Sequence, residues 1–420
     1  MMTVLRARVL TPRSADEVTW LEDAAIHIDP AGTITAVEPY GGQPVDEHLQ
    51  TGVLTPGFVD AHVHYPQTRI VGAASGPLLD WLATSTFPEE ARFSAPDHAD
   101  EVARTFTAAL AAAGTTLAMV YGPVFPAATE ALFAAAERRG LRVIAGPVLM
   151  DEHCPPGLQL PAADALDALD ALGARWHGRD DRLFVAAIPR FALCCSAGLM
   201  RGAADLARRH GWWVSTHLAE SLEEGRITRE RFAAEDYLRV YEDAGLVHRR
   251  SVFAHAIHLS DAEWDRIAAA GAVIAHCPDS NFFLGSGRFD AATALARGVP
   301  VALGTDVAAG RSFRVPRIAS SAYDSALARG TILTPSQLWW WATRGGALAL
   351  GQDRLGAVEP GMEADLVWHD LPAWVDDPIR ALAWLVFDAD APRPRKVWVR
   401  GKIVWDRGPG GGYPWDTEDR

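Results

Sequence analysis

The sequence predicts an α/β fold: a (β/α)8 barrel of the TIM type, with a small β-sandwich formed by its N- and C-terminal segments. Three observations carry this reading. Short, β-rich apolar runs alternate eight times with helical stretches through the middle of the chain, and such alternation implies a parallel sheet closed on itself. Several of these runs end in ionisable residues, where a barrel gathers its chemistry. Both ends of the chain instead carry short alternating runs beside turn residues, the signal of antiparallel strands. A length of 420 residues accommodates one barrel of roughly 250 residues or more beside a smaller unit.

In chain order, residues 1–52 contain VLRARVL and AAIHIDPAGTITAVE, alternating runs broken by Pro-Ala-Gly. The eight barrel runs follow at 53–64, 114–122, 142–151, 182–191, 212–221, 251–259, 271–281 and 299–310. Between them, ATEALFAAAERRG (128–140) has apolar residues near helical spacing and a closing glycine of C-cap type. Residues 363–406 return to strand signals, with VWVRGKIVW reading as a hairpin across Arg-Gly-Lys. The domains expected are therefore a sandwich of 1–52 with 363–406, a barrel of 53–362 and a loosely held, Gly- and Pro-rich tail of 407–420.

Composition limits the partners. Hydrophobic residues make up 49% and charged residues 22%, as in an ordinary globular protein. The 39 basic and 53 acidic residues leave a net charge of −14, which argues against nucleic acid or an anionic membrane as partner. No run approaches the ~20 apolar residues of a membrane span, and the first residues lack the apolar core of a secretory signal. Cys154, Cys194, Cys195 and Cys277 form no CxxC pair, so a cytoplasmic protein with reduced thiols is expected.

The strongest local signal is Asp60-Ala-His62-Val-His64. Residues two apart on a strand share a face, so His62 and His64 both project inward and can share one divalent ion. HxH alone is a common pattern. Other strand ends add Thr216-His217-Leu218-Ala219-Glu220, Phe253-Ala254-His255 and Gly304-Thr305-Asp306. Three neutral imidazoles and a carboxylate, with water in the open position, suit Zn²⁺ or Fe²⁺. His62, His64, His217 and Asp306 are the expected ligands. His255 is either a fifth ligand or a donor to the bound water. The ion makes hydroxide available near neutral pH, and Glu220, three residues past a ligand, is placed to move its proton. Lysine occurs only at Lys396 and Lys402. A carboxylated lysine, which bridges two metals in many barrel hydrolases, therefore has no source in the barrel, and a single-metal site is expected.

These residues resemble the amidohydrolase superfamily, and within it the guanine deaminase family. HxH and GTD carry the first resemblance. HYPQ (64–67), TFPEE (86–90), PRF (189–191) and SNFFLGSG (280–287) carry the second. The resemblance implies one zinc per chain, a homodimer, a role in purine catabolism and hydrolysis of guanine to xanthine and ammonia by attack of metal-activated water on C2. Another amino-heterocycle (8-oxoguanine, a pterin, cytosine or a triazine) is the alternative substrate. By the same resemblance Glu220 is the proton carrier and Gln67, Arg190 and Phe191 bind the purine; His255 and Asp306 are expected to stabilise the hydroxide and the tetrahedral centre. Gln67 offers both donor and acceptor to a mixed purine edge, whereas Arg190 offers donors only. Phe191, Phe282, Phe283 and Trp81 are candidates for aromatic walls. Asp279, in HCPDSN where the family usually carries threonine, is expected to bring negative charge near the site.

Overall fold

The structure, a computed structural model, describes residues 2–73, 76–388 and 394–408. Most of the expected tail, 407–420, lies outside the described residues. Strands run in chain order as β1 (Thr3–Pro12), β2 (Val18–Ile28), β3 (Ile34–Pro39), β4 (Glu47–His48), β5 (Val53–Pro56), β6 (Phe58–His64), β7 (Thr115–Gly122), β8 (Arg142–Leu149), β9 (Leu183–Pro189), β10 (Trp213–Leu218), β11 (Ser251–His255), β12 (Val273–His276), β13 (Val301–Leu303), β14 (Leu366–His369), β15 (Lys396–Val399) and β16 (Lys402–Asp406).

Strands β6 to β13 pair in sequence order, every pair parallel. The seam between last and first is closed by the chain just beyond β13. Asp306 donates its N–H to the His62 carbonyl at 2.8 Å, and His64 donates to the Val307 carbonyl at 3.3 Å. Asp60 clamps the same seam, accepting from the Thr305 N–H at 2.9 Å and the Thr305 hydroxyl at 2.5 Å. Close approach explains Gly304. A Cβ there would lie 2.8 Å from both the Cys277 sulfur and the His62 Cβ. Helices cover the outside, and the one read from 128–140 stops where the sequence says it should. Helix Pro126–Arg139 ends on Gly140 at φ 86°, a left-handed cap that glycine adopts without steric cost.

The two ends of the chain combine into one mixed sheet, in the order β16-β15-β14-β5-β1-β2-β3, with β4 beside β1. Leu5, Val9, Ile26, Leu54, Leu366 and Trp398 give it a core separate from the barrel's. The boundary differs from the expected one. Val53–Pro56 pairs with β1 and β14, not with barrel strands, and the barrel begins at Phe58, after Gly57. The apolar run 53–64 is continuous because both halves are buried, each in a different sheet. Inside 363–406, Pro378–Phe387 forms a helix that packs on the barrel helices Val315–Leu327 and Pro335–Ala342.

A buried ion-pair cluster joins the two units. Arg142, at the start of β8, pairs with Glu363 and, at 2.8 Å, with Asp365. Removing one partner of a buried pair strands the other charge. Arg354 and Arg400 still reach Glu363, so the cost falls at the low end of the usual range. Arg142→Met is expected to lower unfolding free energy by about 3 kcal/mol, read from the urea midpoint. An unchanged midpoint would mean that Arg354 and Arg400 compensate the carboxylates.

Candidate active site

The C-terminal ends of the barrel strands bring the predicted residues to one place. His62 and His64 share the inner face of β6. His217 is the penultimate residue of β10, His255 the last of β11, and Asp306 lies three residues past β13. The backbone is bent to aim them: Ala219, His255 and Asp306 have φ of 49°, 68° and 47°, left-handed values that non-glycine residues adopt at a cost and that concentrate at functional sites.

The donor atoms converge. His62 Nε2 lies 3.2 Å from His64 Nε2, and Asp306 Oδ1 lies 3.2 Å from the first and 3.4 Å from the second. The nitrogens of His62, His64 and His217 all fall within 4.8 Å of one another. Tetrahedral ligands at 2.0–2.1 Å from one ion stand about 3.4 Å apart. Facing nitrogen lone pairs at such distances repel unless a proton or a metal ion lies between them. The His217 Nδ1–H donates to the Arg190 carbonyl at 2.6 Å, which leaves its Nε2 free as a ligand. Burial, then the neighbouring rings, holds His64 and His217 well below the usual imidazole range. Burial resists ionisation of Asp306, but its bond from His62 and the surrounding imidazoles keep it near about 2. Neutral imidazoles and an ionised carboxylate are the forms a divalent ion requires.

His255 stands behind this set. Its Nδ1 bonds the Asn281 side-chain oxygen at 2.8 Å. Its Nε2 faces the cavity, 3.4 Å from Glu220 Oε2 and 3.8 Å from Asp306 Oδ2, and makes no hydrogen bond. Glu220 is buried; its Oε1 accepts from the Ser286 hydroxyl at 3.1 Å. Burial raises its pKa to about 7, with Asp306 and Glu224 adding to the shift and His255 opposing it. A carboxyl so poised can both take and return a proton near neutrality. Asn281→Ala frees the His255 ring and is expected to lower kcat about 10- to 100-fold with metal content unchanged. Steady-state kinetics beside metal analysis would show it; an unchanged kcat would mean that packing alone holds the ring.

One cavity is lined by most of these, with His62 buried outside its lining. Its polar wall is His64, Gln67, Arg190, His217, Glu220, His255 and Asp306, and its apolar wall is Leu78, Trp81, Leu82, Phe191 and Leu284. Two of the four aromatic candidates, Trp81 and Phe191, line it. Phe282 is 39% exposed and Phe283 packs against Arg311, and neither lines the cavity, whereas Leu284 does. Asp279 also departs from expectation. Arg311 neutralises it, with bonds of 2.6 and 3.1 Å from the guanidinium and 2.7 Å from the backbone N–H, so its charge is spent in tying the Asn281 helix to the chain after Asp306.

The family model for the amidohydrolase family matches residues 53–404. The chain belongs to the amidohydrolase family. Among relatives, a probable guanine deaminase of Deinococcus radiodurans is 38% identical across 97% of this chain and 99% of its own length. The guanine deaminase of Escherichia coli is 40% identical across 75% of this chain and 72% of its own. Among solved structures, guanine deaminase from C. acetobutylicum with bound guanine in the active site superposes with a TM-score of 0.92 at 26% identity, covering 96% of this chain and all of that one.

Within this amidohydrolase the structure adds residues that sequence reasoning missed. Glu90 is fully buried and bonds both Gln67 and Arg190. Ser286 and Asn281 orient Glu220 and His255. Glu224 accepts the Glu220 N–H at 3.0 Å and the Tyr237 hydroxyl at 2.6 Å, holding the loop that presents Glu220. The TFPEE and SNFFLGSG segments contain three of these four, so the motifs that carry the resemblance were the available signal.

Proposed function

We infer that the protein hydrolyses guanine to xanthine and ammonia with one zinc ion per chain held by His62, His64, His217 and Asp306. The observation that supports this most directly is the convergence of His62, His64, His217 and Asp306 beside a cavity whose polar wall carries Glu220, Gln67 and Arg190 and whose apolar wall carries Trp81, Phe191 and three leucines. The guanine deaminase relatives point the same way. Zinc at this position would lower the pKa of a bound water toward neutrality.

The chain's own residues do the rest. Trp81, Phe191 and the leucines exclude water from the faces of the base. Gln67 and Arg190 fix its polar edge, with Arg190 donating toward a carbonyl oxygen such as O6. Glu220 takes a proton from the attacking water and delivers it to N3, so that C2 becomes more electrophilic. His255 and Asp306 hold the attacking oxygen in place through hydrogen bonds as C2 becomes tetrahedral. Glu220 then moves the proton of the new C2 hydroxyl to the exocyclic amine, the C2–N bond breaks, and ammonia leaves as the C2 carbonyl of xanthine forms. Arg190 stands at the end of the fourth barrel strand, where a bridging lysine would have to be, which supports a single ion. The family resemblance adds the expectation of a homodimer acting in purine salvage or catabolism, and the cysteine pattern adds that of a cytoplasmic protein with reduced thiols. Among the described residues no helix is long and apolar enough to cross a membrane.

The test is steady-state ammonia release from guanine, 8-oxoguanine, isoxanthopterin, adenine and cytosine, with metal content measured on the same sample. Guanine should have the highest kcat/KM, with xanthine as product. A higher value for any other ring would overturn the substrate, and iron at full occupancy would overturn the metal.

A further inference from the structure

The wall that contacts the base in this reading contains a charge that no ligand role explains. Glu90, on helix Phe87–Ala91, is 0% exposed, and Arg190 only 2%. Its Oε2 accepts from Arg190 Nη1 at 2.6 Å and its Oε1 from Gln67 Nε2 at 3.2 Å. The Gln67 Oε1 in turn accepts the Ala308 N–H at 3.1 Å. A carboxylate only accepts hydrogen bonds, so the amide of Gln67 has one orientation: nitrogen toward Glu90, oxygen toward Ala308. Four N–H donors remain on Arg190, but its positive charge is cancelled within the wall.

We propose that Glu90 determines specificity by positioning: it cancels the charge of Arg190 and locks the Gln67 amide, so that the pocket takes a neutral purine and rejects an anionic one of similar shape. The proposal rests on the purine reading above. A buried guanidinium without a counter-ion would draw any anion of fitting size, and discrimination is built as readily by removing an attraction as by adding one. The donors of Arg190 thus keep their geometry toward a ring carbonyl without favouring urate-like rings or an ionised product.

The experiment compares zinc-loaded wild type, Glu90→Gln and Glu90→Asp at one neutral pH. Hypoxanthine, neutral there, and urate, an anion there, serve as competitive inhibitors of guanine hydrolysis. The ratio of the urate to the hypoxanthine inhibition constant is the readout, since a merely looser pocket weakens both alike. In Glu90→Gln the ratio should fall by about tenfold or more, which corresponds to about 1.4 kcal/mol, while KM for guanine rises more than kcat falls. In Glu90→Asp, which keeps the charge, the ratio should stay within about threefold of wild type. An unchanged ratio in Glu90→Gln, or an equal shift in both variants, overturns the proposal. If Glu90→Gln does not fold, Arg190→Gln replaces it. There the unopposed carboxylate must raise the ratio, and a fall or no change overturns the proposal. Should wild type not turn over guanine, the purine reading fails first. The ratio, measured then by calorimetric binding, still decides the role of Glu90.

Discussion

Glu220→Gln is expected to reduce kcat for ammonia release by about three to four orders of magnitude, with metal content unchanged from wild type. The substitution preserves volume and the bond from the Ser286 hydroxyl, so the cavity keeps its shape. What it removes is the carboxyl group whose pKa burial raises to about 7. An amide cannot accept the water's proton and return it. Glu220 is not among the convergent donors, so the ion stays. Ammonia release with metal analysis on the same preparation gives the answer. A loss smaller than about tenfold would place the proton route elsewhere, with His255 the next group in reach at 3.4 Å.

His64→Ala carries the second large effect. It removes one of the nitrogens that face each other at 3.2 Å, and with three donors left the ion should be lost on dialysis, with activity falling below detection. A second reading separates this from misfolding. A ligand bound only to the folded state stabilises by about 4 kcal/mol at a thousand times its dissociation constant. Chelation should therefore lower the melting temperature of wild type by several degrees and leave that of His64→Ala unmoved. Equal shifts in both would mean that the chelator acts at another site.

What the sequence reveals and conceals follows from how far each interaction reaches. His62 and His64 are legible because a strand repeats every two residues, so the pair is local. His217, His255 and Asp306 are legible because barrel topology brings every strand's C-terminal end to one mouth. The break at Gly57 is hidden. VLTPGFVDAHVH is apolar throughout, and nothing in a buried run states which sheet buries it. The run 271–281 misleads in the same way: β12 ends at His276, and Pro278 opens a helix, as proline does at a first helical turn. Glu90 is concealed by distance, 100 residues before its partner Arg190, and by a neighbouring glutamate that makes the pair read as a solvated helix face. Asp279 reads as a liability until Arg311, 32 residues on, is seen to neutralise it.

The central claim is that His62, His64, His217 and Asp306 hold one catalytic cation. Stripped protein titrated with zinc, and followed by guanine turnover at each addition, tests it most directly. Activity should rise linearly and level off at one ion per chain, with Asp306→Ala remaining inactive throughout. A plateau at two ions per chain, or full turnover by the stripped protein, would contradict it.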